Sequence, residues 1–250
     1  MFANIPEGWL LLGALVTFMA GFVQGFSGFG FAIVFTPIFS LIFGSPQEVV
    51  FLAPILGFIL STAVMIEARR ALRRKHALPL LLATAIGTPL GIGIRTLLNI
   101  QALKLVIATL ALLIAFLRLF KFPLKIPDGY RTLATGGFLG GLLNGTTSMG
   151  GPVPSLIIAF QNWDVHEARA ALVSFNLLSY FLATTVALGA HIAKFSWFTS
   201  ILWLLPFAAF GSICGVLAVR YVSRLTFALF ITGIVGLSGC VGLTSIILKL

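Results

Sequence analysis

The sequence predicts an all-α polytopic membrane protein made of two inverted repeats, each a short broken-helix hairpin plus three long transmembrane helices. Three observations predict it. The first is composition. Of 250 residues, 59% are hydrophobic and only 9% are charged, with a mean hydropathy of +1.12. A soluble domain carries about a quarter charged residues. The second is the presence of repeated apolar runs near the ~20 residues that a spanning helix needs. The third is order: short segment, break, short segment and three long segments, then the same series again.

The first repeat covers residues 1–125, with a hairpin at 9–43 and helices at 48–120. Segment one runs Trp9–Val23 and lacks the basic flank of a signal peptide, so it is expected to be retained. A glycine-rich break follows at Gln24–Gly30, then segment two, Phe31–Phe43, stopped by Gly44-Ser45-Pro46. At 1.5 Å per residue, segments of this length reach only about 22 Å of the ~30 Å hydrocarbon core. Segment three, Glu48–Ala68, is long enough to cross. The basic run Arg69–His76 follows, then segments four (Leu78–Ile94) and five (Ala102–Phe120).

The second repeat covers 126–250, with a hairpin at 132–161 and helices at 166–248. Segment six is Thr132–Leu143, the break is Asn144–Gly151, and segment seven is Pro152–Phe160. Segments eight (Ala168–Leu188), nine (Phe198–Val219) and ten (Leu225–Leu248) are long. Gly21 and Gly25 align with Gly137 and Gly141, Pro37 with Pro154, and Glu48 with Glu167. Gly87 and Gly91 align with Gly211 and Gly215, a small-xxx-small spacing that lets helices approach closely.

The net charge of +10 would point to nucleic acid in a soluble protein. Here the bases flank apolar spans, where topology accounts for them and no nucleic-acid partner is expected. With Arg69–Lys75 in the cytoplasm, Arg118–Arg131, Arg220 and Arg224 fall there too. Arg95, Lys104, Lys194 and Lys249 then lie outside, as do both termini. The two hairpins open from opposite sides, so the halves are inverted. In such proteins the binding site lies near the midplane, at the repeat interface.

Irregular backbone is tolerated at membrane depth only inside protein or against water. The stretch Gly136–Pro154 holds seven glycines, two prolines and the polar run Asn144-Gly145-Thr146-Thr147-Ser148. A helix starting at each break points its N-terminus, with free N–H groups and a positive dipole end, into the protein. That makes an anion site. Ser27 is positioned to cap segment two, and Thr147 or Ser148 segment seven. Gln24 and Gly28 from the first break, and Asn144, Gly145 and Thr146 from the second, complete the candidate set. No base is expected at either tip. Asn176, Ser179, Tyr180 and Ala183 share one face of segment eight, and Asn176 and Tyr180 are candidate lining residues. Arg169 is a candidate entry residue, or else a boundary pair with Glu167. The same small and hydroxyl residues also serve plain helix packing, and both readings stand.

The breaks GFVQGFSGFGFAIVFTP and GGFLGGLLNGTTSMGGPVP, the long segment after each and the paired Gly-xxx-Gly helices resemble the TauE/SafE, or sulfite exporter, family of membrane permeases. The resemblance covers nearly the whole chain. It implies two four-segment halves and transport, as export, of sulfite, sulfoacetate or related anions across a bacterial inner membrane. The partners expected are a small anion and the lipid bilayer, with oligomeric state open. Cys214 and Cys240 are expected as core residues. His76, His166 and His191 fall at loop positions far apart, there is no P-loop, and no Asp or Glu sits mid-span. No catalytic residue, metal site or cofactor is therefore expected. An anion channel or an uptake carrier of the same fold is the alternative, and a membrane-embedded enzyme is a further one.

Overall fold

The computed structural model describes residues 7–43, 46–120, 127, 129–159, 163–189, 195–218, 240, 243 and 244. Segment ten apart from residues 240, 243 and 244, and His191, Lys121, Lys125, Lys194, Arg220, Arg224 and Lys249 lie outside the described residues. Among the described residues the chain is all helix. The order is α1 (Glu7–Ser27), α2 (Phe31–Phe43), α3 (Pro46–Ala68), a 3-10 turn (Arg69–Ala71), α4 (Arg74–Leu97), α5 (Ile100–Phe120), α6 (Tyr130–Thr147), α7 (Pro152–Ala159), α8 (Val165–Gly189) and α9 (Phe195–Ala218).

Among the described residues, five helices are long and apolar enough to cross a membrane: Leu10–Ser27, Pro46–Ala71, Arg74–Leu97, His166–Gly189 and Trp197–Ala218. The helix starts have local causes. Pro46 opens α3 where its missing N–H is no loss, and Glu48 sits in that first turn, favoured by the dipole. Asn99 Oδ1 accepts the Ala102 N–H ahead of α5, and Asp164 Oδ1 accepts the His166 N–H at the start of α8. The 13-residue α2 and 8-residue α7 reach only about 20 and 12 Å, too short to span.

α1 is longer than the sequence reading. It runs through Gln24 to Ser27, as α6 runs through Asn144 to Thr147. The hydroxyls there do not end the helix. Ser27 and Thr147 bond back to the carbonyls of Val23 and Leu143, four residues earlier. What ends each helix is a left-handed residue, Gly28 (φ 79°) and Ser148 (φ 66°). The Gly28 N–H donates to the Gln24 carbonyl and the Ser148 N–H to the Asn144 carbonyl, both at 2.8 Å. The true breaks are therefore only Gly28–Gly30 and Ser148–Gly151.

Two helix seams dominate the packing: α1 on α9 and α4 on α6. Each is a contact of backbone on backbone. A Cβ on Gly21 would lie 2.2 Å from the Ala208 carbonyl oxygen, and one on Gly25 2.0 Å from that of Ser212. In return Gly211 and Gly215 face the carbonyls of Phe18 and Phe22. On the other seam Gly137, Gly141 and Gly145 meet Leu80, Thr84 and Thr88, while Gly87 and Gly91 meet Phe138 and Leu142. Both seams run in the same sequence order on the two helices, so each pair is parallel. The far face of α4 presents Leu78, Leu82, Ile86, Leu90 and Ile94, all exposed and four residues apart. That stripe suits hydrocarbon, not water.

α3 and α8 cross at the centre in opposite directions. Glu67 meets Arg169 near one end, and the Tyr180 ring lies against Gly57 further along. Several expectations are corrected here. Glu167 does not pair with Arg169. It is buried and bonds to His76 and Arg73 at the start of α4, because α8 packs along α4. His76 and His166 lie in helix first turns rather than loops, and His76 stacks on Trp163 with ring centroids 4.6 Å apart. Cys214 is only half-buried and Cys240 is exposed, so neither is a core residue.

Candidate functional site

The two breaks are built alike. Gln24, Ser27, Gly28 and Phe29 correspond in their backbone bonding to Asn144, Thr147, Ser148 and Met149. In both, the residue after the left-handed one offers its N–H to the hydroxyl two residues back, at 3.4 Å for Phe29 on Ser27 and 3.3 Å for Met149 on Thr147. The seams agree with this register, which pairs Gly21 with Gly141 and Gly25 with Gly145. It lies one helical turn from the glycine alignment read off the sequence.

The two breaks use their carboxamides differently. Gln24 is fully engaged: its Nε2 donates to Ser61 Oγ at 2.9 Å, and its Oε1 accepts the Phe31 N–H at 3.2 Å. Gln24, not Ser27, therefore caps α2. The Ser27 hydroxyl is spent on the carbonyls of Val23 and Phe29. Asn144 is one methylene shorter and α7 begins with Pro152, which has no N–H to cap. Among the described residues, both side-chain polar atoms of Asn144 lack a partner, although the residue is 1% exposed. Burying such a group unpaired costs about 1–3 kcal/mol.

The second-break hydroxyls are also committed. Thr146 bonds the carbonyls of Leu142 and Leu143, Thr147 bonds Leu143, and Ser148 Oγ reaches across to the Val50 carbonyl of α3 at 2.9 Å. Neither Thr147 nor Ser148 caps α7. Gly145 is a packing glycine, its missing side chain leaving room for the Thr88 carbonyl.

α8 threads between the breaks. Asn176, fully buried near its middle, makes a long contact of 3.5 Å from Nδ2 to the Gly28 carbonyl. Its Oδ1 has no partner among the described residues and lies 3.8 Å from where a Cβ on Gly151 would stand. Gly150, the next residue back, packs on Asn144 Cβ. Asn144 and Asn176 thus each neighbour one residue of the Gly150–Gly151 pair. The tips themselves touch, with the Phe29 ring 3.0 Å from a Cβ position on Gly151. Ser179, one turn along α8 from Asn176, has a buried Oγ with no partner among the described residues. Tyr180 is engaged, with the Ala32 backbone as hydrogen-bond partner of its hydroxyl.

A family model described as Sulfite exporter TauE/SafE matches residues 13–241. The chain belongs to the TauE/SafE family. Its family and its apolar helices make it an integral membrane protein of sulfite-exporter permease type. Neither the curated proteins nor the solved structures gave a match to this TauE/SafE chain.

The expectation of no base at either tip is corrected. Arg169 reaches the first break from α8: its Nη2 donates to the Gly25 carbonyl at 3.0 Å, and its stem packs on Gly28. Nη1 is held by Glu67 at 2.7 Å. Sequence distance hid this contact. Reading from sequence also missed Ser61 as the partner of Gln24, and the buried Arg95, whose Nη2 is unpartnered. Pairing Gln24 with Asn144 is the signal that would have separated the two breaks.

Proposed function

We propose that this TauE/SafE chain is a secondary transporter that exports small sulfur-containing anions, such as sulfite or sulfoacetate, across a bacterial inner membrane, with both termini outside. The substrate is held near the midplane between the two breaks. Asn144, Asn176 and Ser179 make its direct contacts. Gln24, Ser27, Gly28, Gly145, Thr146, Thr147, Ser148 and Tyr180 hold the surrounding backbone in place, and Arg169 guards the cytoplasmic approach. The observation that carries this reading is Asn144, buried with both polar atoms unpartnered beside a glycine-rich break in a permease-family chain.

Several features support the inverted-repeat reading behind it. The seams α1–α9 and α4–α6 answer one another, each joining the first helix of one half to the fourth of the other. Glu48 and Glu167 are both buried in the first turns of α3 and α8, and each meets a residue near the start of a fourth helix, Ser200 and His76 respectively. An axis exchanging the antiparallel α3 and α8 would lie in the membrane plane.

The test is flux through the full chain in proteoliposomes. Saturable, counterflow-competent movement of sulfite or sulfoacetate, unmatched by acetate, is the expected result. Asn144→Leu should cut that flux at least tenfold while leaving the melting temperature unchanged or raised. Linear flux without counterflow would make the protein a channel, and indifference to every sulfur anion would remove the substrate class.

A further inference from the structure

The unpartnered atoms at the centre describe a ligand. Asn144 offers one acceptor, Oδ1, and one donor group, Nδ2. Asn176 offers a second acceptor, because its Nδ2 is turned to the Gly28 carbonyl and exchanging the two ends would set oxygen against oxygen. Ser179 offers a hydroxyl that can act either way. A fully deprotonated oxyanion carries acceptors alone. It would satisfy Asn144 Nδ2 and Ser179 but would set its charge against two carbonyl oxygens. A second negative charge also raises the cost of leaving water, which grows with the square of the charge. On α8, Arg169 holds Glu67 and the Gly25 carbonyl through its two terminal nitrogens, while its buried Nε has no partner among the described residues, and Tyr180 is uncharged with its hydroxyl engaged.

We propose that the species bound between Asn144 and Asn176 is a monoprotonated oxyanion, one negative charge with a hydroxyl hydrogen of its own. Hydrogensulfite fits, as does a sulfonate whose carboxyl group is protonated; sulfite dianion and sulfonates without a donor do not. This rests on the transporter reading above. The ligand hydroxyl donates to Asn144 Oδ1 or Asn176 Oδ1, and its oxygens accept from Asn144 Nδ2 and Ser179. Each such ligand takes a proton with it. A pH gradient therefore biases the flux without any carboxylate relay in the protein.

The experiment compares two probes in proteoliposomes of the full chain: radiolabelled sulfite under argon and methanesulfinate. Methanesulfinate has the same single charge, the same pyramidal sulfur and nearly the same size as hydrogensulfite, but a methyl group where the hydroxyl would be. From mildly acidic to mildly alkaline pH, sulfite flux should follow the monoprotonated fraction, and methanesulfinate should be slower by about tenfold, the effect of leaving a buried acceptor unpaired. Asn144→Leu should bring the two rates closer together. Methanesulfinate keeping pace with sulfite, or sulfite flux rising with the dianion, overturns this inference while leaving the transporter reading intact. No saturable flux of any anion by protein that is fully helical by circular dichroism overturns both.

Discussion

Gly25→Ala and Gly93→Ala add the same methyl group to a helical glycine, and the structure gives them opposite signs. A Cβ on Gly25 would stand 2.0 Å from the Ser212 carbonyl oxygen and 2.8 Å from its carbon, against the 3.4–4 Å of ordinary contact. α9 must therefore back away by more than an ångström. That move loosens the Gly21–Ala208, Gly211–Phe18 and Gly215–Phe22 contacts together. Overpacking costs about 1–3 kcal/mol, and the opened seam should place this variant at the upper end, about 3 kcal/mol. Gly93 lies in α4 with nothing within 4 Å of its Cβ position. Alanine there removes backbone freedom from the unfolded chain and should stabilise by about 0.5–1 kcal/mol. Unfolding in mixed micelles should thus separate the two variants by about 3.5–4 kcal/mol. Equal effects, or a neutral Gly25→Ala, would refute the close-packed seam.

Gln24→Leu leaves Ser61 and the Phe31 N–H without their partner and should lower stability by about 2–4 kcal/mol. Asn144→Leu, at the corresponding place in the second break, should cost nothing, and thermal melts of the pair check the contrast. Ser148→Ala loses the bond to the Val50 carbonyl while keeping the left-handed backbone, and should cost about 1–2 kcal/mol. Ser148→Gly should recover about 1 kcal/mol of that by relieving the backbone, measured in the same melts.

Much of the architecture was legible because membrane helices announce themselves by composition, and because glycines at four-residue spacing mark where backbones meet. Helix ends were less legible. Gly28 stops α1, but other glycines in α1 and α6 do not, and at Ser148 the left-handed turn falls on a residue that rarely adopts it. The polar run at Asn144–Ser148 was a correct signal of something unusual, yet composition could not say which of its groups were already spent. Thr146, Thr147 and Ser148 turn to carbonyls. The difference between Gln24 and Asn144 is a single methylene, and its meaning depends on Ser61 lying within reach of one side chain and no equivalent partner within reach of the other. Arg169 meets Gly25 only through the packing of α8, which no local pattern encodes.

The glycine seams also bear on how the molecule can move. Along α1–α9 and α4–α6 no layer of side chains lies between the backbones, so neither pair has a surface on which to slide. Each behaves as a welded beam, and each beam is made from both halves of the chain. On the proposed transporter reading, opening the centre first to one side and then to the other would therefore be a pivoting of beam against beam rather than a rocking of half against half, with the crossing of α3 and α8, where Tyr180 rests on Gly57, as the bearing.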